Sequence, residues 1–180
     1  MNRLFLLIVF CALGCCAQSS VLAQSGFMRT NATVHQEMGT GAAGSAGWGE
    51  VLSNGHLTCT AEAGSDGTQN AGSATSDYTL TTTWTWFGGG TIPNPAYFTG
   101  HGDISSSEDG TGSASATVVG TDFGFSRSTP TVANGVYSNQ SSFTPVNGVV
   151  TARMESIAVA AKTAGIGSAQ ASSDVWVTYP

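Results

Sequence analysis

The sequence predicts an all-β chain folded as an antiparallel β-sandwich, jelly-roll or Ig-like, of about eight strands. Three observations predict it. Apolar and polar residues alternate with a period of two along several runs after residue 24. Those runs are rich in Thr, Val, Tyr and Trp, which suit a pleated and half-buried surface. Stretches rich in Gly, Ser, Asn or Pro, at 39–49, 64–72, 88–95 and 105–112, break the runs at short intervals.

The alternation carries each strand assignment. In His56-Leu57-Thr58-Cys59-Thr60-Ala61-Glu62-Ala63 the apolar Leu57, Cys59, Ala61 and Ala63 share one face, because successive side chains of a strand point oppositely. From Ser73 to Phe87, Ala74, Tyr78, Leu80, Trp84 and Trp86 take even positions, and Thr75, Asp77, Thr79, Thr81, Thr83 and Thr85 take odd ones. That run exceeds an ordinary strand, which predicts a bulge or bend near Thr82. Ser113–Val119 alternates Ala114, Ala116 and Val118 with Ser and Thr, and 121–126 sets Phe123 beside Phe125. Asn134-Gly135, between 131–133 and Val136-Tyr137, predicts a type I′ hairpin, and Asn147-Gly148 predicts a second turn. Residues 151–164 fit either period: Met154, Ile157, Ala158 and Ala161 would line a helix, whereas Arg153, Glu155, Ile157, Val159 and Ala161 would share a strand face. The β character of every neighbouring segment favours strands, with Gly165-Ile166-Gly167 turning the chain into 169–179 as an antiparallel partner.

Residues 1–23 read as a secretory signal peptide. Met1-Asn2-Arg3 supplies the positive start, and Leu4–Leu13 is apolar but too short for the ~20 residues of a bilayer span. Val21-Leu22-Ala23 before Gln24 is the preferred cleavage site. Alternatives are cleavage after Ala17 and lipidation at Cys15. Residues 24–180 show no composition break and form one sandwich domain, expected to be secreted, or else periplasmic or lipid-anchored, with no transmembrane segment once the leader is gone. Cys11, Cys15 and Cys16 leave with the leader, so Cys59 stands alone without an internal disulfide and reads as a small buried hydrophobe.

Strands such as Gly112-Ser113-Ala114-Ser115-Ala116-Thr117 and Ala71–Leu80 resemble those of exported bacterial Ala/Ser/Gly-rich β-sandwich proteins of the PEP-CTERM type. The sorting tail of that group is absent, because the chain ends Val175-Trp176-Val177-Thr178-Tyr179-Pro180. The resemblance implies an exported sandwich and transfers no functional residue.

Charge narrows the partners. Only 9% of residues are charged and the formal net charge is −6, so hydroxyls and amides hydrate the surface: Ser and Thr number 45. Arg29, Arg127, Arg153 and Lys162 are scattered, which leaves no basic stripe for nucleic acid. Zinc spacing and a nucleophile elbow are both missing, so no catalytic residue is assigned and the chain reads as a non-catalytic structural or binding module. The competing expectations are a jelly-roll polysaccharide-degrading enzyme and an anchored lipoprotein subunit. For binding, a glycan or a cell-surface or matrix component is the expected partner, because sugars stack on amphipathic rings. Trp84, Trp86, Tyr97 and Trp176 are the candidate platforms. No cofactor is required, although Asp103, Glu108 and Asp109 lie close enough in sequence to suggest a Ca2+ loop.

Overall fold

The computed structural model describes residues 25–42, 45–52, 54–64 and 71–180. The leader, its cleavage and lipidation sites and three of the cysteines lie outside the described residues. The strands are β1 (Gly26–Ala42), β2 (Ser45–Val51), β3 (Leu57–Ala63), β4 (Gly72–Phe87), β5 (Ala96–Gly120), β6 (Phe125–Ser128), β7 (Gly135–Phe143) and β8 (Val149–Thr178), with a single 3-10 turn at Thr121–Phe123 among the described residues. Every pairing is antiparallel.

The hydrogen-bonded sheet is folded over on itself. β5 and β8 run side by side for nearly their whole length, interrupted where Gly110 pairs Gly167 and Gly112 pairs Lys162. On a straight strand Ser156 and Ser173 would stand about 57 Å apart. Their hydroxyls instead meet at 2.8 Å. The β5–β8 ribbon therefore doubles back at 110–112 and 163–167, and its two halves face each other. One layer holds β1, β4, the first half of β8, the second half of β5, and β6. The other holds β2, β3, the second half of β8, the first half of β5, and β7. The antiparallel sandwich expected from the alternation is what forms.

Glycine makes the fold-over passable. A Cβ on Gly112 would lie 1.9 Å from the Ser168 carbonyl oxygen, and Gly110 adopts φ 60°, which other residues avoid. The interior is graded along its length. Near the fold-over it is built from Ala63, Ala74, Ala114, Ala160, Ala169 and Ala171. At the opposite end Phe27, Trp84, Trp86, Phe98, Phe143 and Tyr179 meet edge-on or tilted.

Small side chains midway let hydroxyls span the layers. Ser76 Oγ donates to the Trp48 carbonyl at 2.7 Å, Ser173 Oγ to that of Ile157 at 3.0 Å, and Cys59 Sγ to that of Ser156 at 3.2 Å. Such side-chain-to-backbone reach needs layers closer than the ~10 Å of sheets spaced by large residues. Cys59 is free and fully buried, and that burial pushes its thiol pKa up, which keeps it an inert hydrophobe.

Several local expectations change. β4 keeps unbroken register with β8 from Gly72 to Thr85, so there is no bulge at Thr82; the irregularities fall on β1, at Arg29/Asn31 and Gln36/Met38. The edge strand absorbs the extra residues because it has a neighbour on one side only. Thr121–Phe123 is a 3-10 turn rather than strand, although Phe123 and Phe125 are both buried as paired. Asn134-Gly135 does not turn a hairpin. The Asn134 amide bonds both backbone groups of Ser106, and Gly135 opens β7 against β5. Asn147-Gly148 supplies the tight turn instead, with φ of 53° and 75° and reciprocal backbone bonds between Val146 and Val149. Residues 151–162 are strand, as the context favoured, but their buried face is Ala152, Met154, Ser156, Ala158 and Ala160. They lie across the core from 169–177, joined to them by serine side chains, instead of pairing with them as a neighbouring strand. Residues 105–110, expected as loop, are part of β5.

Candidate functional site

The two outer faces differ in chemistry. Along β4 the outward positions are Thr75, Thr79, Thr81, Thr83 and Thr85 around Asp77, a hydroxylated surface. The outer face of the other layer carries rings. Strand pairing sets His56, Trp176 and His101 side by side there, because Leu57 pairs Val175 and His101 pairs Trp176. The three rings stand nearly parallel. His56 stacks on Trp176 at 4.4 Å and 7°, and His101 on its other face at 5.0 Å and 4°.

Polar groups hold this row in place. His56 Nδ1 lies 2.9 Å from Asp174 Oδ2, and His101 Nε2 lies 2.9 Å from Thr178 Oγ1. Asp103 pairs Asp174 directly in the adjacent row. Burial raises the Asp174 pKa, with Asp103 adding to the rise and His56 opposing it. Burial likewise lowers the His101 pKa, helped by His56. Around the row, the same face exposes Trp48 on β2, 45% accessible, and Tyr97 on β5, 50% accessible. Both are outward because their neighbours Gly47 and Gly49, and Ala96 and Phe98, occupy the inward positions.

The depressed His101 pKa has a consequence for stability. Unfolding restores the ordinary value, so below about pH 6.5 the unfolded chain binds a proton that the folded chain resists. Stability is therefore expected to fall as the pH drops through the ordinary histidine range. Asp174 acts in the opposite sense: its raised pKa lets the folded chain take up a proton more readily than the unfolded one, which offsets part of the loss as the medium turns acid. Thermal melts at about pH 7 and pH 5 should show a lower Tm in acid, and His101→Gln should shrink the difference. An unchanged difference in that variant would place its origin elsewhere.

The sequence-derived platforms divide. Tyr97 is exposed, and Trp176 is on the outer face as its strand position implied. Both flat faces of the Trp176 ring are covered by imidazoles, however, so it offers an edge rather than a stacking surface. Trp84 and Trp86 do not belong to the site. Even positions of β4 face inward, and these two rings pack edge-on against Phe98 and Phe27. The acidic trio is not brought together. Asp103 lies on the outer face, and Glu108 is about 17 Å further along β5, where it accepts from the Ala114 amide. Among the described residues no three His, Cys, Asp or Glu side chains converge as a metal ion would require. His56, His101 and Asp174 were not singled out as a group in the sequence. They come from the turn before β3 and from β5 and β8, far apart in the chain, and only register aligns them.

No family model matches the chain, and no curated protein matches it. Two solved structures share a distant likeness. The bacteriophage CBA120 tailspike protein 4 enzymatically active domain is 15% identical, with a TM-score of 0.29, over 84% of this chain and 20% of that one, so the present chain spans a fifth of its length. TmCBM61, solved in complex with beta-1,4-galactotriose, is 8% identical with a TM-score of 0.21, over 84% of this chain and 90% of that one. Neither likeness assigns a role to a residue here.

Proposed function

We propose that the protein is a secreted, non-catalytic module that binds glycan through the outer face formed by β2, β3, the second half of β8, the first half of β5, and β7. The observation that supports this reading is the asymmetry between the faces: exposed Trp48 and Tyr97 flank the His56–Trp176–His101 row, while the opposite face presents threonines along β4 with a single exposed apolar ring, Phe87, at that strand's end. Pyranose C–H faces pack on exposed rings, and Thr99, Gln140, Asp103 and Asp174 on the same face offer partners for sugar hydroxyls. The rings stand on β-strands, which hold an extended ligand with little loss of protein entropy.

Affinity electrophoresis through gels containing a neutral β-glucan or a galactan tests this. Retention is expected for the native chain, and Tyr97→Ala or Trp48→Ala should each weaken it about tenfold, roughly 1.4 kcal/mol. Thr81→Val on the opposite face should leave it unchanged. Failure of every polysaccharide to retard the protein, or full retention by the Tyr97→Ala/Trp48→Ala pair, would refute the reading.

A second reading has one observation behind it. Asp103 and Asp174 oppose each other across β5 and β8, with Cα atoms about 4.5–5.5 Å apart. One of them has a raised pKa, and paired carboxylates are the usual equipment of glycoside hydrolysis. Their position on an open strand face favours binding over cleavage. Release of reducing ends that disappears in Asp103→Asn would reverse that preference.

A further inference from the structure

Strand register fixes where Trp48, Trp176 and Tyr97 stand relative to one another on the outer face. Trp48 pairs Thr60, and Thr60 pairs Ser172, so Trp48 shares a row with Ser172. Trp176 lies four residues further along β8 and two strands across from Trp48, which separates their backbones by about 13 Å along the strands and about 10 Å across them. Tyr97 lies two residues beyond Thr99, the partner of Thr178, and so four residues beyond the Trp176 row on the next strand. That step is about 13 Å along and about 5 Å across. Both steps run in the same sense. The rings therefore follow one diagonal about 30 Å long, from β2 to β5.

The ground between the rings is low and hydroxylated. Thr58, the partner of Asp174, stands midway between Trp48 and Trp176, one strand from each. Thr99 and Thr178 pair with each other between Trp176 and Tyr97. At the centre the His56–Trp176–His101 row crosses the diagonal and presents ring edges. The hollow lined by Phe143, Val146 and Val149, and that lined by Ser106, Pro130 and Asn134, both lie off this path. A concave pocket buries most of a small ligand, whereas a strand face of this kind buries little of one. Contact here accumulates with the length of the ligand. Glu50, Glu62, Asp103 and Asp174 stand beside the path, so a uronate chain would meet like charge.

We propose that this diagonal is a track for an internal stretch of a long, neutral and extended polysaccharide of the diequatorial β-1,4-linked class, laid from Trp48 across the His56–Trp176–His101 row to Tyr97. The inference rests on the glycan-binding reading and adds the ligand's length and linkage to it. Diequatorial 1,4-links hold successive pyranose rings in a straight ribbon, which keeps contact with rings spaced along one line. β-1,3-links curl the chain and lift it off at one end or the other.

The test runs the whole protein through gels containing hydroxyethylcellulose, a β-1,4-glucan, or laminarin, a β-1,3-glucan, with cellobiose and cellohexaose as soluble competitors. Hydroxyethylcellulose is expected to retard the protein and laminarin to leave its mobility unchanged. Cellohexaose should release it at a concentration at least about tenfold below that of cellobiose, equivalent to roughly 1.4 kcal/mol. Tyr97→Ala and Trp48→Ala should each remove most of that advantage while leaving competition by cellobiose within about twofold, because the disaccharide spans too little of the track to need both ends. These side chains are exposed, so the variants are expected to keep the native melting temperature. Equal retention by laminarin, retention by a galactan alone, or equal potency of cellobiose and cellohexaose overturns the track and leaves the glycan reading standing. A cellohexaose advantage that survives in both variants also overturns it. Absence of retention by any polymer refutes both.

Discussion

Phe98→Ala is expected to cost about 3–5 kcal/mol of stability, the upper range for emptying an aromatic site in a core. The ring is fully buried and meets four others: Phe27, Trp84, Phe143 and Tyr179, at centroid distances of 5.0–5.6 Å. Those partners come from β1, β4 and β7 and from the segment just after β8, so one truncation loosens both layers at once. The neighbouring rings are anchored on separate strands and cannot collapse into the gap together. Urea unfolding with native and variant chains measures the loss, and for a domain of this size each kcal/mol lowers Tm by about 2–4 °C. Phe98→Leu, which keeps most of the volume, should recover more than half of it. A loss under about 1 kcal/mol for Phe98→Ala would contradict the packing described.

Gly102→Ala should be the other damaging change, despite adding one methyl group. Its Cβ would stand 2.5 Å from Cγ2 of Val118, which belongs to the opposing half of β5 in the other layer. Neither atom is on a flexible tip, so relief requires the layers to part or Val118 to leave its rotamer. Overpacking of this kind costs about 1–3 kcal/mol. The diagnostic result is compensation: Val118→Ala alone is destabilising because it leaves a cavity, but combined with Gly102→Ala it should restore part of the loss. A double-mutant cycle reads this as a favourable coupling of about 1 kcal/mol or more. Strict additivity would mean that the two positions do not touch, and the folded-over ribbon would then be wrong at this point.

The alternation made much of the fold legible. The faces of β3, β4 and 113–119 follow from it directly, since a strand with one buried side must alternate and a strand of Ala and Thr has nothing else to specify. Asn147-Gly148 was legible for a similar reason, because few residues accept two consecutive positive φ angles. Asn134-Gly135 carried the same local signal yet opened an edge strand, because the Asn amide bonded the Ser106 backbone more profitably than a hairpin would have. β1 was not anticipated, since its two register shifts break the period of two. For the candidate site the sequence offered Tyr97 and Trp176 correctly as outward residues, but it ranked Trp84 and Trp86 alongside them. All four look equally amphipathic in a string of letters; the side of the strand that faces the other layer is what separates them.

Composition and periodicity alone determined the β class of the fold, which residues of β3, β4 and 113–119 turn inward, and that hydroxyls rather than ions clothe the surface. These are local properties, set by the geometry of one strand and the water on one side of it. Only the tertiary structure decided that β5 and β8 each serve both layers, and that His56, Trp176, His101, Asp103 and Asp174 share a surface. That outcome depends on register between strands up to 118 residues apart, where a slip of one position would reverse every side chain, and no local stretch of sequence holds that information.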